Sequence, residues 1–567
     1  TLAQEVNPPP PPTRRSASCC PQRVGGGGRG RMSTAGASGP TVPAAPAGAR
    51  TFTAEEVAAH RREGDLWVII DGQVYDLSRF GALHPGGLPP LLDPTVAGGD
   101  ATELFYSLHR ASVLQEPRYK RLCIGTLAGV APPAKQREAH VPYGEAMGTW
   151  RKFSPYYNES HHKFRAALRE FMDTEIKPHC KDWDDNGDLP TKEVDEKLGR
   201  AGIFAALVAG EEGVGELFEK HGIALPGGLR AEEFDYFHGL IVSEELRRGV
   251  NGCYGVSDGL IGGVAIGLPP LLKFGTPEMI EKYAVPCIRG ERRICLAISE
   301  PYAGSDVQQI RTTATPAPGG AWRVDGVKKW ITGGMVADYF TTLARTEKHG
   351  PAMLLVERGD GSTVSTKPIK TSYSPAAGTS YVTMHGATVP PENVIGRLGQ
   401  GFYQTMANFN FERWGMIVSG NRHARLVVEE CMKWALTRKV FGKTLMQQPV
   451  IRYKMAEMAA AVESIHSMLE DLTFQMCKMT PDEINRHLAG PIALLKYKQT
   501  RVATQVSDNA CQIFGGRAIT GTGMGYVIEK FQRSFKFQAI LGGSEEIMAD
   551  FAMRQAMRNV GDMPARL

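Results

Sequence analysis

The chain lacks the paired cysteines of a disulfide framework or a zinc site. Its ten cysteines are scattered over 567 residues, and none lies three positions from another. This spacing argues against a disulfide-stabilised secreted protein and against a cysteine-ligated zinc site. It favours a reducing compartment.

Charge of one sign and long apolar runs are also missing. Lys and Arg number 65 and Asp and Glu number 60, which leaves a net charge of +5. So small an imbalance implies neither a nucleic acid partner nor an acidic membrane surface. No stretch approaches the run of about 18 apolar residues that a membrane helix needs. We therefore predict no nucleic acid binding and no transmembrane segment.

The two ends of the chain carry composition signals rather than fold signals. Residues 1–49 are rich in Pro, Gly, Ala and Arg, a composition that cannot bury a core and predicts a disordered leader. Met32 is a plausible start, so residues 1–31 are either gene-model read-through or a cleaved leader such as a transit peptide. The last three residues, Ala-Arg-Leu, have the form of a peroxisomal address. We predict a peroxisomal location, with mitochondrial or cytoplasmic as alternatives.

The chain is too long for a single core, so several domains are expected. Residues 50–130 include "WVIIDGQVYDLSRF", which predicts two short strands joined by an Asp-Gly turn. His84, in "HPGG", and His109 follow, 25 positions apart. Two histidines with apolar neighbours could hold a flat ligand through its iron, although either one alone could be an ordinary loop residue.

This stretch resembles cytochrome b5. The resemblance rests on the Trp67–Leu77 strands, His84-Pro85-Gly86-Gly87, Asp100-Ala101-Thr102, Phe105 and His109. It implies haem b with His84 and His109 as the iron ligands. One departure is "LPPLLDPTVA", where Pro89 and Pro90 replace the helix usual after the glycines. Residues 131–150 are predicted to be a linker.

The remaining chain changes pattern twice. Helical periodicity dominates residues 151–290, strand-like segments with turns fill 291–400, and long amphipathic helices occupy 401–567. In the strand-rich part, "KKWITGG" places Trp330 two positions before Thr332, which on a strand would share one face. A flat heteroaromatic ligand would suit such a pair, although a core Trp in an ordinary strand would give the same pattern.

The order of "SEPYAGSD", "KKWITGG", "ALTRKVFGK", "QIFGG" and "LGGSEEI" resembles the acyl-CoA dehydrogenases, a family of FAD flavoproteins. The resemblance covers about residues 155–560. Together the two resemblances predict a multidomain fold: an α+β cytochrome b5-like domain, then an α-helical domain, a central β-barrel-like domain and a C-terminal four-helix bundle. They also imply an acyl-CoA substrate, a homodimer or homotetramer, and an electron-transfer flavoprotein or another redox partner.

The resemblance also assigns residues by position. Ile298, Ser299, Trp330 and Thr332 correspond to contacts of the flavin ring, and Ser305 to a contact of the thioester's pantetheine. Arg438, Phe441, Gln512 and Gly516 correspond to contacts with the FAD of a neighbouring subunit, and Ser544 and Glu546 to further FAD contacts. Gln448 lies one position before the family's glutamine, because Pro449 takes the aligned place.

The catalytic base is the remaining assignment. The reaction removes a proton next to the thioester carbonyl, so it needs a base in a dry pocket. Part of the family carries a Glu directly before the Gly-Thr or Gly-Ser pair of the last motif, where this chain has Gly542 before Gly543-Ser544. Another part carries it before an Arg on an earlier helix. Glu412-Arg413 lies 26 positions before Arg438, so Glu412 is the candidate base and Arg413 its neighbour at the substrate. A structural Glu–Arg pair is the alternative.

The function predicted from the sequence is therefore FAD-dependent α,β-dehydrogenation of an acyl-CoA in fatty-acid or branched-chain catabolism, with the haem as an electron relay. Two alternatives remain open. One is an acyl-CoA oxidase that passes electrons to O₂, and the other is a non-catalytic flavoprotein of the same fold.

Overall fold

The computed structural model describes residues 50–130, 141–147 and 153–559. The predicted leader, most of the predicted linker and the C-terminal Ala-Arg-Leu lie outside the described residues. We define residues 50–130 as the N-terminal module. Within the described part, a helical region, a β-sheet region and a second helical region follow it.

The N-terminal module is built on a five-stranded sheet of order β1-β5-β4-β3-β2. The predicted Asp-Gly turn joins β3 to β4, since Asp71 and Gly72 both have positive φ (51° and 69°). No helix forms over Leu88–Ala97, as expected from the two prolines. The elements are β1 (Arg50–Phe52), α1 (Ala54–Ala59), β2 (Arg61–Arg62), β3 (Asp65–Ile70), β4 (Gln73–Asp76), α2 (Thr102–Leu108), α3 (Pro117–Lys120) and β5 (Cys123–Leu127).

A helical region follows, and its apolar residues form one large core. Its helices are α4 (Glu159–Phe171), α5 (Lys177–Asn186), α6 (Lys192–Arg200), α7 (Ile203–Val208), α8 (Val214–His221), α9 (Tyr236–Gly249), α10 (Tyr254–Gly267), α11 (Pro269–Phe274), α12 (Pro277–Met279) and α13 (Val285–Ile288).

Helix α10 lies at the centre of this region, and its glycines allow it to pack closely against neighbouring backbone. A Cβ on Gly263 would lie 1.9 Å from the carbonyl oxygen of Ile294, and one on Gly259 would lie 2.1 Å from that of Ala376. Only glycine allows the helix to approach neighbouring backbone so closely. The stretch Tyr254–Phe274 is long and apolar enough to cross a membrane, but 67% of its most apolar window is buried in the protein. Such burial is that of a core helix.

The central region is one eight-stranded sheet. Its order is β11-β12-β8-β7-β9-β10-β13, and β6 pairs in parallel with β9. The strands are β6 (Ile294–Ala297), β7 (Thr313–Pro316), β8 (Trp322–Ile331), β9 (Tyr339–Thr346), β10 (Gly350–Glu357), β11 (Val364–Pro368), β12 (Ser380–Val389) and β13 (Val394–Ile395).

The last region is a bundle in which α17 packs against α14, α15 and α20. Its elements are α14 (Gly401–Thr437), the hairpin β14 (Lys439–Val440) and β15 (Lys443–Thr444), α15 (Pro449–Met476), α16 (Pro481–Glu483), α17 (Ala489–Phe514), α18 (Tyr526–Ser534), α19 (Lys536–Ile540) and α20 (Glu545–Asn559).

The described part of the predicted linker is bound to this bundle. Arg422 donates to the carbonyl of Gly144 at 3.2 Å, and Arg425 donates to the carbonyls of Tyr143 and Glu145 at 3.2 Å each. Both arginines are buried on α14. The backbone carbonyls of this segment accept hydrogen bonds from buried guanidinium groups. Residues 141–147 are therefore held against the bundle by these hydrogen bonds.

Candidate active site

Glu412 lies in the first third of α14 and is 8% exposed. Asn408, one helical turn earlier, donates its side-chain amide to the Glu412 carboxylate. Burial raises the pKa of Glu412 to about 8, against the lowering effects of Arg413 and of the Asn408 hydrogen bond. A carboxylate that is dry yet hydrogen-bonded on one oxygen has the protonation behaviour of a general base near neutral pH.

The Arg413 side chain turns to other partners. Its Nε donates to the carbonyl of Gly542 at 3.2 Å, and its Nη1 donates to Asn410 at 3.1 Å. Among the described residues, no ion pair within 4 Å joins Arg413 to Glu412. The geometry therefore does not show a simple structural Glu–Arg pair. The charge of Arg413 still lowers the pKa of Glu412.

Gly542 lies in the tight turn before α20, with φ +64°. A Cβ at Gly542 would meet the Met416 side chain at 2.5 Å, and Met416 follows Glu412 by one helical turn. The position where other members of the predicted family carry their base is thus adjacent to the turn of α14 that carries Glu412. Both positions reach the same place in the fold.

Lys496 supports this turn, and no sequence motif pointed to it. Its ammonium donates to the carbonyl of Gly543 at 2.7 Å and to that of Gln538 at 3.3 Å, and the residue is 1% exposed. Burial lowers the pKa of Lys496 to about 7, with Arg413 acting in the same direction. A single Lys on a helix gives no sequence signal of this role. Asn408 could have been found, since it precedes Glu412 by four positions.

One face of α10 connects Glu412 to the predicted flavin contacts. The Asn408 amide donates to the carbonyl of Ile266 at 3.2 Å. The Thr332 methyl lies 3.4 Å from where a Cβ of Gly262 would be. Gly262 and Ile266 are one helical turn apart, about 6 Å along the axis. Asn408, which holds Glu412, and Thr332 therefore both approach α10 within one helical turn.

Trp330 and Thr332 do not share a strand face as predicted. Strand β8 ends at Ile331, and Trp330 has φ +67°, which breaks the alternation on which the prediction depended. Trp330 is 52% exposed, so its indole is not a core side chain. A large aromatic held in a left-handed conformation with its ring uncovered is typical of a ligand-facing residue.

A buried ion pair between Lys328 and Glu300 supports the "SEPYAGSD" loop, and the motif itself did not indicate this pair. Lys328 donates to Glu300 at 2.8 Å and to the carbonyl of Ile298 at 3.1 Å. Glu300 also accepts from the backbone N–H of Arg311 and Thr312. Ile298 is buried and leads into Ser299, whose carbonyl accepts from Lys329 at 2.9 Å. Ser305, at the outer end of the loop, is exposed.

The predicted contacts with a neighbouring subunit's FAD lie on the β14–β15 hairpin, just after α14 and at the end of α17. Phe441 and Gly442 form the two-residue turn of the β14–β15 hairpin, both with positive φ, and Phe441 is 97% exposed. Arg438 directly follows α14 as its C-terminal cap, and Gln448 immediately precedes α15. Gln512 and Gly516 are exposed at the end of α17. A Phe side chain that is this exposed at the tip of a turn is expected where a binding partner covers it.

Ser544 and Glu546 lie at the start of α20. The Ser544 carbonyl accepts from Met548 at 2.9 Å, and its hydroxyl lies 3.5 Å from the backbone N of Ile547. Glu546 is exposed, whereas Glu545 is buried and accepts from Thr500 at 2.9 Å. Glu545 is therefore structural, and Glu546 is the carboxylate open to a ligand.

The two predicted haem ligands face each other. The His84 and His109 rings are 6.0 Å apart between centroids. His84 Nδ1 donates to the carbonyl of Gly87 at 2.9 Å, and His109 Nδ1 donates to that of Phe105 at 3.2 Å. Both hydrogen bonds leave Nε2 as the bare nitrogen, the tautomer that binds a metal. The spacing leaves room for a metal atom between the two rings, so His84 and His109 would fit as the residues that hold a haem iron. The Phe105 ring stacks on His109 at 4.8 Å.

A second histidine cluster has a different explanation. His161, Asp235 and His238 have ligand atoms within 4.8 Å of one another. His161 Nδ1 accepts from the backbone N of Asn158, and Asp235 caps the start of α9 by accepting from His238 N. These contacts are helix caps that use His in place of Glu. The cluster is accounted for without a metal.

Family models match the chain in four consecutive segments. One described as "Cytochrome b5-like Heme/Steroid binding domain" matches residues 53–128. The N-terminal, middle and C-terminal domain models of "Acyl-CoA dehydrogenase" match residues 158–291, 295–386 and 399–557. The His pair lies in the first of these segments, the Trp330 turn in the third and Glu412 in the fourth.

Individual relatives agree with these matches. The acyl-CoA dehydrogenase apdG of Emericella nidulans is 36% identical over 74% of this chain and 95% of its own length. The mitochondrial short-chain specific acyl-CoA dehydrogenase of Rattus norvegicus is 28% identical over 70% of this chain and 91% of its own. The crystal structure of an acyl-CoA dehydrogenase from Geobacillus kaustophilus superposes with a TM-score of 0.62 at 26% identity, over 71% of this chain and all of that one.

Proposed function

Because the chain belongs to the acyl-CoA dehydrogenase family and carries a cytochrome b5-like domain, we propose that it oxidises an acyl-CoA to the 2-enoyl-CoA with FAD and hands the electrons to its own haem. We propose fatty-acid or branched-chain acyl catabolism as the setting. The observation that carries the proposal is Glu412: a buried carboxylate, raised in pKa, whose hydrogen-bond partner Asn408 contacts α10 within one helical turn of the contact made by Thr332.

Glu412 takes the proton from the carbon next to the thioester carbonyl. Asn408 holds one carboxylate oxygen, which leaves the other to face the substrate. FAD, when bound, supplies the acceptor for the hydride that leaves the neighbouring carbon. Glu412 is 8% exposed, so little water reaches it and the carboxylate keeps the basicity that burial gives it.

The module's His pair would hold the haem b, which when bound supplies a one-electron acceptor. The number of haem reductions per turnover follows from the number of electrons that each group transfers. One acyl thioester gives up two electrons, whereas the haem would take up one at a time and would pass each on to the redox partner. Two haem reductions therefore match one turnover.

An anaerobic absorbance titration tests the proposal. Purified protein is mixed with a panel of straight-chain and branched acyl-CoAs while the flavin and haem bands are followed. Flavin bleaching followed by the reduced-haem band is the expected result and ranks the substrates. Bleaching without haem reduction would remove the relay and leave the dehydrogenase. No bleaching with any thioester, in protein that holds FAD, would overturn the enzymatic proposal.

We further propose a homo-oligomer, a dimer or tetramer, in which the hairpin tip at Phe441 is covered by a second copy. The 97% exposure of that ring supports the proposal. A particle of the monomer's mass in light scattering would contradict the assembly.

A peroxisomal location is proposed from Ala-Arg-Leu at the C-terminus. In that compartment O₂ is the competing acceptor, so the peroxide yield per turnover separates an oxidase from a dehydrogenase.

A further inference from the structure

Arg110 joins the haem module to the dehydrogenase. It directly follows the predicted iron ligand His109, and its side chain leaves the module altogether. Its guanidinium lies 2.5 Å from the Glu430 carboxylate of α14 and donates to the carbonyl of Met524 at 2.6 Å. It also stacks on the Tyr526 ring at 4.5 Å.

The receiving pocket is built for a cation. Glu430 and Tyr526 are both buried. The Tyr526 hydroxyl is fixed from the other side, since it donates to the Asn251 carbonyl at 3.1 Å. A carboxylate, a carbonyl and an aromatic face surround one guanidinium, and partial burial strengthens each contact. A second ion pair, between the exposed Glu103 of α2 and Lys439 of β14, lies at the edge of the same interface.

The position of this pocket separates the haem module from the base. Glu430 and Glu412 lie on one unbroken helix, eighteen residues and therefore about 27 Å apart. The hydride acceptor must lie beside the substrate carbon next to Glu412. The docked module thus holds its iron ligands at the far end of α14 from its own chain's flavin site. Electron transfer rates fall exponentially with such a separation.

We propose that Arg110 is the residue that docks the haem module on its own dehydrogenase, and that the docked position is a resting one from which the module must leave to accept electrons from its own chain. The docking half stands by itself. The second half rests on the proposed function.

Cross-linking tests the docking. Cysteines replace Glu103 and Lys439, and a short bis-maleimide links them in the full-length holoprotein, with the link placed within one chain by peptide mapping. We expect efficient linking with Arg110 present and a severalfold loss with Arg110→Ala or Glu430→Gln. Arg118→Ala is the matched control, because Arg118 is exposed and pairs with Glu116 of the same module; it should leave linking unchanged. Equal linking in all variants, or none in any, would overturn the docking.

The haem reduction rate after acyl-CoA addition tests the resting position. We expect Arg110→Ala to reduce its haem severalfold faster than the parent protein, at equal haem content, and the cross-linked protein to reduce it severalfold more slowly. A locked module that is reduced at the full rate would show that the docked position is productive and would overturn this half. If the haem is reduced in none of them, the relay itself fails, and the cross-linking result still decides the docking.

Discussion

Arg413 donates a hydrogen bond from Nε to the carbonyl oxygen of Gly542. This contact ties the helix turn that carries Glu412 to the loop where other family members carry their base. Position 542 and Glu412, the two sequence positions expected for the base, therefore lie close together in this fold.

The first prediction concerns the base itself. Glu412→Gln keeps the shape and the Asn408 contact but cannot accept a proton, so we expect a loss of turnover of about 10²–10⁴-fold. The rate of flavin bleaching under single-turnover conditions measures it. Glu429→Gln is the matched control, since Glu429 lies on the same helix and pairs with Lys433. If the Glu412→Gln protein kept more than roughly a tenth of the parent rate, Glu412 would be structural.

The pH dependence follows from the raised pKa of Glu412. We expect kcat/KM to rise with pH and to level above about 8, where the free carboxylate is ionised. Folding stability should move the other way. Between pH 4.5 and about 8 the folded protein keeps a proton that the unfolded chain has released, so stability falls as the pH rises through that window. Glu412→Gln should flatten this component of both curves, and an unchanged stability curve in the variant would contradict the assignment.

Moving the base to position 542 should fail unless room is made for it. The double variant Glu412→Gln, Gly542→Glu forces a side chain onto a backbone with φ +64° and against Met416. Adding Met416→Ala removes the clash but not the strain, so we expect the triple variant to regain part of the activity that the double variant lacks. Flavin bleaching rates compare the two. Full activity in the double variant would show that the turn adapts more easily than its geometry indicates.

Sequence patterns were sufficient for the fold and for the position of Glu412. The order of five motifs predicted three dehydrogenase regions, and the b5-like pattern predicted the module; both resemblances are confirmed by the family matches. The interval between Glu412 and Arg438 pointed to Glu412 as the candidate base, and the structure shows that this interval is one continuous helix, α14, with Arg438 as its C-terminal cap. Whether each assigned residue performs its role stays a prediction.

Other features left no trace in the sequence. Arg110 meets Glu430 across 320 positions, and such a pairing depends on how two domains dock rather than on any local pattern. Lys496 and Lys328 look like ordinary charged residues until burial is known. Trp330 misled the strand argument because alternation assumes extended backbone, and its φ of +67° departs from it.

Lys496 provides a stability prediction. Lys496→Met keeps the length of the side chain but leaves the carbonyls of Gly543 and Gln538 without their donor. An unsatisfied buried acceptor costs about 1–3 kcal/mol, so we expect roughly that loss in the free energy of unfolding, together with weaker FAD retention because the Gly542 turn loosens. Urea denaturation measures the free energy of unfolding, and the release of flavin measures FAD retention. Lys498→Met, at an exposed position on the same helix, should change neither, and a variant as stable as the parent would remove Lys496 from the support of the turn.

The last prediction concerns the iron ligands. His84→Ala and His109→Ala should each lose most of the haem absorbance per chain, because two axial nitrogens close the site and one cannot hold it as well. Gly86→Ala should also weaken haem binding, since a Cβ there would lie 2.9 Å from the His84 ring and turn it. His60→Ala is the control: His60 belongs to the same module but stacks on Trp67, away from the pair. Flavin bleaching by acyl-CoA should survive in all four proteins, because Glu412 and the Trp330 turn lie in other domains. Full haem absorbance in either ligand variant would exclude that histidine from the iron.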